Sequence, residues 1–169
     1  MLTKKMQESI NEQINKELWS SYLYLSMAAY FEEQSLPGFA NWMRVQAQEE
    51  ISHAMKFFDY VNARGGRVLL KPIAKVPVKW TNTKTVIEET LKHERVVSES
   101  INELVNLATD EKDHATNNML QWFVEEQVEE EASASELLDK VEMTEGKPHA
   151  LMMIDKELAQ RTFVDETKE

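Results

Sequence analysis

The chain has 169 residues, with four Gly, four Pro, no Cys and a net charge of −11. That length suits one domain spanning residues 1–169, able to bury roughly 70% of its unfolded surface. The absence of Cys excludes disulfides, thiolate metal sites and thiol catalysis. The acidic balance disfavours nucleic acid and anionic membranes as partners. The first eight residues, Met1 to Glu8, lack the apolar run of a secretory signal, and no segment approaches transmembrane length. Cytoplasmic residence is the expectation.

Scarce Gly and Pro favour long helices, and the few present divide the chain. Met6, Ile10, Ile14, Leu18, Tyr22, Leu25 and Ala29 recur at helical spacing and predict a helix over about 3–33. Ser35-Leu36-Pro37-Gly38 reads as a turn, with Pro37 placed to open a second helix over about 38–64 on Phe39, Met43, Ala47, Ala54, Phe57 and Val61. Gly65-Gly66 stops it. Residues 66–82 carry Pro72 and Pro77 and show no helical period. A third helix over about 83–110 follows, then a polar link in which Asp113 is placed to cap a fourth over about 114–143. After Gly146 and Pro148, a short fifth helix spans about 149–161. Asp165 to Glu169 is expected to fray.

The long second link has a geometric reason. Helices of about 28 residues are roughly 42 Å long. Some 17 extended residues reach roughly 56 to 60 Å, enough to cross a bundle end to end. The expected fold is therefore all-α, a four-helix bundle with one long crossover between helices 2 and 3.

Each helical stripe loses its apolar character near its middle. Glu17 interrupts Ile10, Ile14, Ser21, Tyr24 and Ala28, while Glu50 and His53 interrupt Phe39, Met43, Gln46, Phe57 and Val61. Glu94 falls among Ile87, Leu91, Ser98, Ile101 and Val105. Gln127 and Glu130 fall among Leu120, Phe123, Ala134, Leu137 and Val141. In a bundle of equal helices these middles share one level, so the six polar residues converge. A buried carboxylate costs several kcal/mol unless compensated. No basic residue occurs between Lys16 and Arg44, or between Lys112 and Lys140, and Arg44, Lys56, Lys92 and Arg95 fall beside the stripes. An external cation is the natural compensator. Oxygen-rich ligation with an imidazole suits iron or manganese better than zinc. Glu50 is placed to bridge two metals roughly 3.5 to 4 Å apart.

At these residues the chain resembles the non-haem ferritins of bacteria and archaea along its whole length, a ferritin-like di-iron family whose bundle site is a known type. The resemblance implies that Glu17, Glu50 and His53 hold one iron, and that Glu50, Glu94 and Glu130 hold a second. It implies that Gln127 hydrogen-bonds beside the centre and that Tyr24 lies near the irons, although a core tyrosine with a satisfied hydroxyl reads equally well there. Glu49, Glu126 and Glu129 match a third iron site leading inward; from sequence alone they are a solvated acidic face. Gln127-x-x-Glu130 replaces a second Glu-x-x-His, and the residues between Glu50 and His53, Ser52 among them, offer no haem-ligating methionine. Both departures point away from bacterioferritin, so no haem is expected. The other histidines, His93, His114 and His149, read as surface residues. The nine Met, including Met152 and Met153, read as core or interface filler, and Trp42 and Trp122 as core packing.

The implied activity is a ferroxidase: Fe(II) is oxidised by oxygen or hydrogen peroxide, and ferric mineral is stored in a shell. The implied assembly is a homo-oligomer of 24 subunits, with the fifth helix at its fourfold axes. The alternatives are a non-storage di-metal oxidase acting on an organic substrate, or a structural bundle without metal.

Overall fold

The computed structural model describes residues 1–168. It contains α1 (Lys4–Glu33), α2 (Pro37–Ala63), α3 (Thr83–Asp110), α4 (His114–Met143) and α5 (Pro148–Leu158), then a 3-10 turn at Glu166–Lys168. These elements form two compact units, one of residues 1–80 with 147 onward, the other of residues 81–146.

In the first unit α1 and α2 make a hairpin. Thr3 caps α1 by accepting from the Met6 amide at 3.0 Å, and Ser35 closes the turn at φ 58° before Pro37 opens α2. Met6, Ile10, Ile14, Met27 and Phe31 are buried, as are Phe39, Met43, Phe57 and Val61 of α2. The Phe31 and Phe39 rings stack 5.0 Å apart across the turn. The expected α1 stripe holds only in its first half. Tyr22 and Leu25 are 53% and 47% exposed, because burial follows Ile14, Glu17, Ser21, Tyr24 and Ala28. Each exposed residue sits one position after a buried one, hence about 100° around the helix.

The crossover lies along α1 and is held by it. Asn11 donates to the Arg67 carbonyl (3.1 Å) and accepts from the Leu69 amide (3.2 Å); Glu12 pairs with Lys71. Further on, Trp19 donates to the Lys75 carbonyl at 3.4 Å and Ser26 to that of Pro77 at 2.5 Å, and Tyr30 meets Trp80 edge-on at 5.5 Å. Both chains of contacts advance in the same direction, so residues 66–80 travel the length of α1. Backbone groups that no helix satisfies are answered by α1 side chains instead.

α5 docks on the start of α2. Leu36 offers that helix no side-chain cap; the Asp155 carboxylate supplies one, accepting from the Gly38 and Phe39 amides at 2.7 and 3.0 Å. The approach is close enough to require glycine, since a Cβ at position 38 would lie 1.7 Å from the Asp155 carbonyl oxygen. α5 ends at Leu158, short of the expected Arg161, because α2 draws the following residues away from helical geometry. Asp165 accepts from the Thr167 amide and hydroxyl and pairs with Lys168 at 2.7 Å. Glu169, part of the expected frayed end, lies outside the described residues. Met152 and Met153 are 56% and 66% exposed, so neither is core in the subunit.

The second unit is the α3–α4 hairpin. Asn82 caps α3 through the Thr85 amide, and Asp113, the cap expected from sequence, holds α4 through the Thr116 amide and hydroxyl. The buried row of α4 is Thr116, Leu120, Phe123, Gln127, Glu130, Ala134, Leu137 and Val141. His114 and His149 are exposed, but His93 of α3 is half-buried, and burial lowers its pKa from 6.5 to about 4.

Two outcomes follow. Gly38→Ala should cost about 2 kcal/mol, the scale of an overpacked contact, and free α5 for proteolysis; an unchanged Tm and digestion pattern would refute the close approach. As pH falls below 6.5 the unfolded His93 takes a proton that the folded ring refuses until about 4. Stability is therefore full above that window and lost within it. His93→Gln should flatten the loss, read as urea midpoints across the same pH range.

Candidate metal centre

Glu17 comes from the buried row of α1, and Glu50 and His53 from successive turns of α2. Their side chains are 1%, 2% and 4% exposed, and one ligand atom from each lies within 4.8 Å of the others. His53 Nδ1 stands 3.7 Å from Glu50 Oε2, beyond hydrogen-bond distance but suited to sharing an ion. Gln13, one turn before Glu17 and 1% exposed, donates Nε2 to Glu17 Oε1 at 2.8 Å. That bond fixes the carboxylate and leaves its other oxygen, fully buried, accepting no hydrogen bond. Ser21 donates to the Ala47 carbonyl at 2.8 Å, tying the two helices together one turn away. Tyr24 is fully buried further along the same row of α1.

In the second unit Glu94, Gln127 and Glu130 are buried. The Gln127 amide nitrogen lies 3.2 Å from both the Glu94 carbonyl and Glu94 Oε2, and 3.3 Å from Ser98 Oγ. Ser98 in turn donates to Glu131 at 2.5 Å. Gln127 thus holds Glu94 in place through its donor end, the act of an orienting residue. Glu130 lies three residues along the same face of α4.

The acidic residues beside these rows have varied surroundings. Glu129 is exposed and Glu126 half-buried, while Glu49 accepts from Arg161 Nη2 at 2.8 Å. Among the described residues the buried carboxylate and imidazole side chains are Glu17, Glu50, Glu94, Glu130 and His53, with no buried Lys or Arg. Carboxylates in that condition take up protons or cations, and a Glu/Glu/His triad converging within 4.8 Å is a donor set for a divalent ion. Sequence reading missed Gln13, although a glutamine within the Ile10–Ile14–Glu17 row was a visible signal. It also missed Asp155 and Arg161, whose partners are far away in the chain.

Comparison with known proteins agrees with this geometry. Residues 7–144 match the model of the ferritin-like domain family. A bacterial non-haem ferritin of Bacteroides fragilis is 45% identical over 95% of this chain and 100% of its own length. One from Staphylococcus epidermidis is 37% identical over 96% of this chain and 98% of its own. Among solved structures, an engineered closed form of the Archaeoglobus fulgidus ferritin is 50% identical, covers 97% of this chain and 100% of its own, and superposes with a TM-score of 0.96. An open-pore ferritin from the same archaeon, also 50% identical, covers 95% and 98% at 0.94. These likenesses define the class as a ferritin-like four-helix bundle with a long crossover. The chain belongs to the ferritin family of iron-storage proteins, in its non-haem branch.

Gln13→Leu tests the orienting bond. It should weaken the first Zn(II) bound by about 10- to 100-fold, the usual cost of losing a ligand's hydrogen-bond partner, with helicity unchanged. An unaltered titration would show that Glu17 needs no such support.

Proposed function

We propose that the protein takes Fe(II) as its substrate at Glu17, Glu50, His53, Glu94 and Glu130, oxidises it, and stores the ferric product as a hydrous oxide. The observation carrying this reading is the buried Glu17–Glu50–His53 triad, unanswered by any buried Lys or Arg among the described residues. Each Fe(II) yields one electron, so two irons reduce one oxygen molecule to peroxide, or one hydrogen peroxide to two hydroxides. Anionic oxygen donors stabilise Fe(III) more than Fe(II), which lowers the cost of electron loss. Within this scheme Glu50 would be shared between the two ions and His53 would supply a neutral imidazole nitrogen. Gln13 and Gln127 fix the carboxylates of Glu17 and Glu94, and Tyr24 stands beside the irons.

Family membership supports the di-iron arrangement and the further parts of the scheme. Glu49, Glu126 and Glu129 carry ferric iron inward. One domain of residues 1–169 repeats as 24 subunits in a shell, and it works in the cytoplasm. Apolar side chains exposed in the single subunit, including Tyr22, Leu25, Leu70, Met152 and Met153, are the kind of surface that a shell interface covers. No helix of the described residues is long and apolar enough to cross a membrane.

Aerobic Fe(II) titration, with oxygen consumption and particle size followed together, tests the proposal. The parent should consume oxygen and retain iron in a shell-sized particle. Replacing Glu50 and His53 with Ala together should slow oxidation by about 100-fold or more, since two ligands are lost where one outer partner already costs 10- to 100-fold, and leave particle size unchanged. Oxidation at the parent rate in that variant would refute the site.

A further inference from the structure

The segment after α5 runs along α2 as a strap. Asp155 caps α2 at Gly38 and Phe39, Asn41 donates to the Leu158 and Arg161 carbonyls at 3.1 and 2.9 Å, and Lys56 donates to the Thr167 carbonyl at 3.4 Å. The α2 positions involved, from Gly38 through Asn41, Trp42, Gln46 and Glu49 to Lys56, recur at helical spacing on one side of the helix. That side borders the row of Glu50 and His53.

Arg161 is the centre of the strap. Its guanidinium carbon lies 4.9 Å from the centre of the Trp42 ring. Nη1 donates to Oε1 of the fully buried Gln46 at 2.5 Å, and Nη2 donates to Glu49 Oε2 at 2.8 Å. The Arg161 and Glu49 side chains are 27% and 15% exposed. A ring, a neutral amide and a carboxylate together fix the guanidinium fork, so this pair differs in kind from the mobile ion pairs of the surface. Glu49 is also a carboxylate assigned above to inward iron transfer, and the inference rests on that reading. A metal ion at Glu49 and the guanidinium would share one carboxylate, and two cations that close together repel.

We propose that Arg161 is a displaceable counter-cation for Glu49. A divalent metal gains this carboxylate only by evicting the guanidinium, and eviction loosens residues 159–168 from α2. Arg161 is a positioning residue, not a ligand: it raises the metal concentration needed at Glu49 and couples loading there to release of the strap. One cation exchanges for another, with no covalent or redox change.

The test uses the assembled protein and Zn(II), a redox-inert probe, with calorimetric titration and hydrogen exchange over residues 159–168. In the parent, tight sites should fill first, and protection of the strap should fall only at a later, weaker step. Arg161→Gln should tighten that step about tenfold, the scale of one charge-assisted hydrogen bond. Its strap should exchange quickly with or without Zn(II). Arg161→Lys keeps the charge and should retain the weak step, while Glu49→Gln should abolish it. A late step equally weak in Arg161→Gln, or parent protection that Zn(II) does not move, overturns the proposal. The underlying site reading fails separately, if the tight steps survive replacement of Glu50 and His53 with Ala.

Discussion

Four carboxylates are buried in this protein, Glu17 and Glu50 with His53 in one unit and Glu94 and Glu130 in the other, with no buried ammonium or guanidinium among the described residues. Everything near them answers that condition. An isolated buried carboxylate would protonate or force its surroundings open. Neutral donors orient two of these side chains, Gln13 for Glu17 and Gln127 for Glu94. Neutral amides orient a carboxylate without cancelling its charge, which keeps it available to a metal. A lysine or arginine in either place would satisfy the carboxylate and remove the reason to bind an ion.

Rigidity around the triad follows from how its helices are tied. Ser21 bonds the Ala47 carbonyl between helices, and the crossover is fastened along α1 through Asn11, Glu12, Trp19 and Ser26. A fifteen-residue stretch without secondary structure would ordinarily be a loose region. Its backbone groups here are met by α1 side chains, so the link braces the helix that carries Glu17.

The C-terminal residues treat α2 in a similar way but bring charge to it. Asp155 places a carboxylate at the positive N-terminal end of α2, and Arg161 places a guanidinium against Glu49. The first interaction stabilises the helix that presents Glu50 and His53. The second occupies a carboxylate next in sequence to Glu50. One short segment thus caps α2 and sets a guanidinium beside the row of Glu50 and His53.

Much of this was legible in the residue order. The buried row of α4 is the expected one from Leu120 to Val141, and the cap at Asp113 and the start of α2 at Pro37 follow local rules. The position of Glu50 and His53 on an apolar row is a property of helical spacing alone. Where the rows went wrong, as at Tyr22 and Leu25, the error is one residue, because α1 carries apolar side chains on adjacent faces and periodicity does not say which is buried. The interactions only tertiary structure decided are those between distant segments. Asp155 and Gly38 are 117 positions apart, and Arg161 and Glu49 are 112. Sequence periodicity fixes the face of a helix on which a side chain stands. Which donor or cation comes to meet it depends on packing, and packing leaves no mark within a few residues of either partner.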